Sequence, residues 1–247
     1  MGSVVFFHAH PDDEAIFTGG TMALLAERGE RVVLVVATRG ELGGPERVEE
    51  TCRAADVLGV ARVEFLRWRD SGMEGDPGNE AADAFTRADP QEAAEAVARL
   101  LREEQAAALV GYDEHGIYGH PDHVQVHRVG RRAAALAGVP TVYDATVDRE
   151  YLHFVETHLV VEAGGGRPVG LGLAATDLGM PTLLVDLTID VTRMLERKRE
   201  AMAAHGSQIP ETASAMRLPV EAFAAVYGYE WYLRTGPPSV LCALSAV

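Results

Sequence analysis

Two short segments of this chain concentrate the residues that could do chemistry. His8-Ala9-His10-Pro11-Asp12-Asp13-Glu14 follows one apolar run, and Gly119-His120-Pro121-Asp122-His123 follows another, with His127 one helical turn further on. Imidazole and carboxylate are the donor types of hydrolytic zinc sites, where three protein ligands leave one coordination position open. Two imidazoles and a carboxylate drawn from both segments would suffice. Each segment alone has a plainer reading, because Asp behind a His-Pro pair suits a helix start for capping and dipole reasons. Capping explains the conjunction poorly, since histidine is a weak helix former and an uncommon cap.

For the segments to act together, the chain must bring them to one place. Val4-Phe7 reads as a buried strand, residues 18–28 as a helix stopped by Gly29, and Arg31-Val36 as a second buried strand. After a Gly-rich turn over 39–45, a helix runs to about Leu58, and Val63-Leu66 supplies a third strand. Residues 70–89 form a long polar loop, Pro90 opens a helix to about Glu104, and Ala108-Tyr112 is the fourth strand. Pro121 starts a helix to about Ala137. Further strands are expected at Thr141-Ala145 and Leu183-Ile189, and Asp190 caps a long helix through about His205. Residues 157–179, rich in glycine, give no clear pattern. Strands alternating with helices predict an α/β fold: a Rossmann-like, mostly parallel sheet with helices on both faces and a less regular C-terminal part. In such a sheet the loops at the carboxyl ends of strands converge near the topological switch point. Both His-Pro segments would then face each other there, as a metal site at the C-terminal ends of the strands.

Composition narrows the partners. The 247 residues carry 22 Lys+Arg against 37 Asp+Glu, a formal charge of −15, which argues against a nucleic-acid backbone as ligand. With 47% apolar and 24% charged residues, no apolar run of membrane-spanning length and no leader-like N-terminus, the expectation is a cytoplasmic globular protein without a membrane partner. The length suits a single domain over 1–247, with 1–145 the α/β core holding both motifs and 146–247 a C-terminal part that shapes the pocket. Homo-oligomers are left open. Cys52 and Cys242 are expected to be reduced, structural thiols.

The stretches AHPDDE (9–14) and GHPDH (119–123), in this order, resemble the two motifs of the zinc-dependent N-acetylglucosaminyl-phosphatidylinositol deacetylase superfamily, also called PIG-L or LmbE-like. TRGELGG (38–44), the Arg47 to Glu50 helix, RWRDSGM (67–73) and YDEHGIYGHPDH (112–123) resemble the branch of the mycothiol-biosynthesis deacetylase and the mycothiol S-conjugate amidase. The likeness covers about residues 4–137, with a weaker echo at KREAMAAHGSQ (198–208). It implies zinc ligands at His10, Asp13 and His123 and a general base at Asp12; Fe(II) is an alternative occupant under reducing conditions, since a mixed imidazole and carboxylate set does not exclude it. Adjacent carboxylates on an extended loop do not both point at one ion, which agrees with that division of labour. The resemblance further implies that His120 stabilises the oxyanion or protonates the leaving amine. Arg47 would contact the polar head of the substrate, Asp70 would bond sugar hydroxyls, and Tyr118 would swing over the bound carbonyl.

Each residue keeps a competing role. Asp12 could orient His10 from behind, His120 could be a helix cap, and His127 shares a helix face with His123 and could replace it as ligand. Arg47 could be a solvated helix charge paired with Glu46 or Glu50, and Tyr118 a structural aromatic. His8 is read as packing, and Glu14 as an acid favoured by a helix N-terminus that also supports the site. The expected function is a metal-dependent amidohydrolase removing an N-acetyl or other acyl group from a small glucosamine-containing molecule. The alternatives are a mycothiol S-conjugate amidase and a non-catalytic sugar- or nucleotide-binding module. The first strand lacks the Gly-x-Gly-x-x-Gly continuation that dinucleotide binding would need.

Overall fold

The computed structural model describes residues 2–155 and 178–245. Within them, seven strands form one sheet in the order β3-β2-β1-β4-β5-β7-β6. Strands β1 (Val4–His8), β2 (Val32–Thr38), β3 (Arg62–Trp68), β4 (Ala108–Tyr112) and β5 (Thr141–Thr146) pair in parallel. At the β5 edge, β7 (Tyr229–Thr235) adds antiparallel, and β6 (Leu187–Asp190) pairs antiparallel with β7. The expected doubly wound α/β sheet is therefore present, with a mixed edge supplied by the C-terminal part.

Burial follows from residue type. β1, β2 and β4 are buried at every position, as continuous runs such as VVLVVAT require when helices cover both faces. Among the described residues the helices are α1 (Asp13–Phe17), α2 (Gly19–Glu27), α3 (Arg47–Leu58), α4 (Pro90–Glu103), α5 (Gly116–Gly119), α6 (Pro121–Ala137), α7 (Arg149–Phe154), α8 (Leu195–Ala204) and α9 (Val220–Tyr227). α4 packs on α6, which lies on β1, β4 and β5, while α2, α3 and α8 form a second group.

Several boundaries depart from expectation. The first helical region begins at Asp13, so the polar segment runs straight into α1, and a break at Thr18 precedes α2. Leu183 and Leu184 belong to a 3-10 turn (Thr182–Leu184), and the strand expected from Leu183 starts at Leu187. Asp190 accepts from the backbone N–H and the hydroxyl of Thr192, opening a 3-10 turn that leads into α8 instead of one long helix. α9 and β7 are elements beyond those the sequence pattern predicts. The pattern-poor stretch 157–179 falls almost wholly outside the described residues. Both cysteines are free thiols, and Cys52 is exposed, so it is not a buried structural thiol.

Candidate metal centre and active site

β1 and β4 are neighbours, and the strand order reverses between them, so the loops after both open into the crevice of the switch point. The first His-Pro segment follows β1 and the second follows β4 through α5. A backbone conformation uncommon for a side-chain-bearing residue occurs in each: Asp12 at φ 103 and Ile117 at φ 65. Gly116 allows the second loop its close approach, because a Cβ there would lie 2.7 Å from His123 Cβ.

Asp13 Oδ2 sits between two imidazoles, 3.4 Å from His10 Nδ1 and 3.3 Å from His123 Nε2. Donors bound at about 2.0–2.1 Å to one tetrahedral Zn²⁺ lie about 3.3–3.4 Å apart. His10, Asp13 and His123 are all buried. The second nitrogen of His10, Nε2, lies 3.1 Å from Asp122 Oδ2 and 3.5 Å from Asp70 Oδ1. A proton on Nε2 given to these carboxylates leaves the Nδ1 lone pair facing Asp13, the usual support of a metal-bound histidine. Asp122 is itself fixed by the backbone N–H and hydroxyl of Ser71, at 2.9 and 2.6 Å. Two of the three donor pairs in His10, Asp13 and His123 therefore have ligand spacing, while among the described residues the groups whose donor atoms all lie within 4.8 Å of one another are His10 with His120 and His123, and His10 with Asp70 and Asp122, neither of which includes Asp13.

The surroundings are arranged for positive charge. Burial alone would hold the His10 imidazole down, yet hydrogen bonds with Asp122, Asp13 and Asp70 push it well above the ordinary histidine range. Burial would raise Asp13, but the adjacent His123 and His10 hold it well below the usual carboxylate range. Burial and the neighbouring Asp13 charge push Asp12 up to about 7, against the opposing Arg47 guanidinium. Burial takes His120 down to about 4, helped by His10 and His123. The donor set thus suits a divalent cation.

Asp12 is half-buried, with its N–H donating to Glu14 Oε2 at 3.1 Å and its Oδ2 3.2 Å from Arg47 Nη2. Arg47 is 5% exposed; the same Nη2 bonds the Pro11 carbonyl, and Nη1 lies 3.9 Å from Asp70 Oδ2. Its guanidinium therefore reaches the first motif and Asp70, and not Glu46 or Glu50 of its own chain segment. Gly40 gives it room, since a Cβ at that position would come within 2.6 Å of Nη1. Asp70 Oδ1 also accepts from Gly72 N at 3.0 Å.

His120 is both a cap and a neighbour of the site. Its Nδ1 accepts from Asp122 N at 3.2 Å, at the start of α6, while its ring lies 4.5 Å from that of His10. The hydroxyl of Tyr118 lies 3.5 Å from His123 Nε2, and the residue is 42% exposed in the short turn of α5. His127 is turned away from the cluster: its Nδ1 donates to the Tyr112 carbonyl at 2.8 Å and lies 3.6 Å from Asp144. His8 is fully buried, bonded to Tyr112 OH at 2.7 Å and Thr18 Oγ1 at 2.8 Å.

Three supporting residues of the C-terminal part escaped the sequence reading. His205 Nε2 donates to Glu14 Oε1 at 2.5 Å, Ser207 binds Glu50 through its N–H and hydroxyl at 2.9 and 2.6 Å, and Gln208 donates to the Gly43 carbonyl at 3.0 Å. All lie in the KREAMAAHGSQ segment, whose sequence carries only a weak echo of the family.

Residues 5–134 match the family described as PIG-L, GlcNAc-PI de-N-acetylase. A 1D-myo-inositol 2-acetamido-2-deoxy-alpha-D-glucopyranoside deacetylase from Catenulispora acidiphila is 40% identical over 242 residues, covering 83% of this chain and 75% of that protein. A protein of the same description from Thermobifida fusca is 35% identical over 269 residues, covering 95% and 93%. Among solved structures, an N,N'-diacetylchitobiose deacetylase from Pyrococcus horikoshii superposes with a TM-score of 0.63 at 21% identity, covering 95% of this chain and 84% of that one, a likeness of fold.

Proposed function

The chain belongs to the PIG-L family of de-N-acetylases, and on that premise we propose that it hydrolyses the N-acetyl amide of a small glucosamine-containing molecule. The observation that carries the reading is the position of Asp13 Oδ2 between His10 Nδ1 and His123 Nε2, with Asp12 beside it. His10, Asp13 and His123 would hold Zn²⁺, or Fe²⁺ in a reducing setting, since an imidazole and carboxylate set accepts either. Such an ion supplies a Lewis acid for the amide carbonyl and makes water acidic near neutrality.

The chain's own groups carry the rest. Asp12, held by Arg47 and by Glu14, takes a proton from the attacking water. The amide then yields a carboxylic acid and an amine, the proton lost by water ending on the amine nitrogen. His120 has Nδ1 committed to the start of α6, which leaves Nε2 to serve the carbonyl oxygen or the leaving amine. Tyr118 stands at the exposed edge with its hydroxyl close to His123, and would donate to the carbonyl oxygen. Asp70 and Arg47 border the site as hydroxyl acceptor and guanidinium, and the amino-sugar description carried by the relatives supports sugar contacts for this pair.

The test couples metal analysis to a panel of N-acetylglucosamine conjugates scored for free amine. About one metal ion per chain with amine release from a conjugate supports the reading. A loaded protein that releases no amine from any member of the panel refutes it.

A further inference from the structure

Beside the metal cluster lies a second space whose chemistry the proposed reaction does not use. A cavity of about 370 Å³ is walled by Phe17, Val147, Leu152, Val226 and Trp231, with Tyr118 at its mouth. Phe17 and Tyr118 form the partition between it and the cluster. Their rings stack at 6.4 Å, Phe17 meets the His123 ring edge-on at 6.1 Å, and the Tyr118 hydroxyl reaches His123 Nε2 at 3.5 Å. Asp12, Arg47 and Asp70, none of which lines the cavity, form a polar flank of the cluster. An amide centred on the cluster therefore has a polar neighbourhood on one side and an apolar one on the other.

Two charged residues also line the cavity, and they neutralise each other. Lys198 Nζ lies 2.5 Å from Glu230 Oε1, with both side chains 1% exposed. The Glu230 carboxylate further accepts from Gly20 N and Thr21 N, each at 2.8 Å, and from Tyr232 OH at 3.2 Å. The pair thus ties β7 to α8 and to the start of α2, and offers no net charge to an ionic ligand. The remaining lining favours uncharged apolar matter. Its volume is well above the roughly 150 Å³ of a cavity that holds benzene, and it falls in the range of small-molecule sites.

We propose that this cavity binds an uncharged apolar substituent of the substrate, held against Phe17 and Tyr118 while the amide lies at the metal cluster. The proposal rests on the amino-sugar reading above. Such a substituent has two chemical sources, a longer N-acyl chain or an apolar aglycone, and the experiment separates them.

Calorimetric titrations would use zinc-loaded protein carrying Asp12→Asn to suppress turnover. Three probes are compared: methyl 2-acetamido-2-deoxyglucoside, its hexyl glycoside counterpart, and methyl N-hexanoylglucosaminide. One hexyl probe is expected to bind at least about 10-fold more tightly than the methyl N-acetyl parent, from the apolar area it buries. A gain for the glycoside identifies an aglycone site, and a gain for the hexanoyl compound identifies an acyl site. Val226→Phe and Val147→Phe, each added separately, fill the cavity from α9 and from the end of β5. Either is expected to cut that ratio to below about 3-fold. A parent that binds with no gain for either hexyl probe overturns the proposal while leaving the amino-sugar reading intact. So does a gain that survives both filling substitutions. A hexyl gain, when the zinc-loaded protein with Asp12 intact hydrolyses no conjugate, keeps the cavity assignment and removes the deacetylase reading. Absence of binding by all three probes overturns both.

Discussion

His205 and Glu14, 191 residues apart in sequence, meet at 2.5 Å with neither side chain exposed. Glu14 uses its other oxygen to accept the Asp12 backbone N–H, so the C-terminal part of the chain steadies the left-handed turn that carries the proposed base. His205→Ala strands a buried carboxylate, a loss of about 3–5 kcal/mol in stability. Amide exchange over residues 11–14 should accelerate and kcat should fall with KM little changed. His205→Gln keeps a donor and should recover much of both. An exchange rate at Asp12 that is indifferent to either substitution contradicts the role.

Asp12→Asn should retain the metal and lose about 10²-fold or more in kcat/KM, the range for a missing general base. Metal content by mass spectrometry separates this from a supporting role behind His10. Loss of the ion, with activity returning at excess metal, would assign Asp12 to metal support instead.

His123→Ala should abolish stoichiometric metal binding, because it removes the donor on the far side of Asp13. Dialysis equilibrium with Zn²⁺ measures this directly. A full equivalent retained by that variant would move the ligand set to another of the clustered residues.

His127 provides a pH test away from the metal. Burial lowers its affinity for a proton, but Asp144 and the Tyr112 carbonyl raise it more, so the net shift is upward from 6.5. A raised folded-state value adds stability that is fully present below about 6.5 and is lost as pH rises through the higher folded value. Denaturant titrations should therefore show His127→Gln more destabilising at pH 6 than at pH 9, with metal content unchanged. An equal cost at both pH values would remove Asp144 as the partner that matters.

The legibility of the site follows the range of its interactions. β1, β2 and β4 announce themselves as apolar runs; the first His-Pro segment lies directly behind β1, and the second follows β4 through α5. Asp13 is legible as a ligand type but not as the first residue of α1, because a helix entered from a left-handed Asp12 has no standard start signal. β7 was hidden by its own sequence: Glu230 is a charge in a strand, explicable only through Lys198 and the α2 N–H groups that surround it. The support of Glu14 by His205 joins residues far apart along the chain, beyond the reach of any local pattern. Arg47 shows the same limit, since its helix position suggests Glu46 and Glu50 as partners while its guanidinium reaches Pro11 and Asp12.

The central claim, amide hydrolysis that depends on an ion held at this cluster, meets its most direct test in a metal-restoration titration. Protein stripped by a chelator and dialysed is titrated with Zn²⁺ while free amine released from an N-acetylglucosamine conjugate is followed. Negligible release is expected from the stripped protein, with a rise that saturates near one equivalent of added metal. Release at full rate from the stripped protein, or none at any metal concentration, would contradict it.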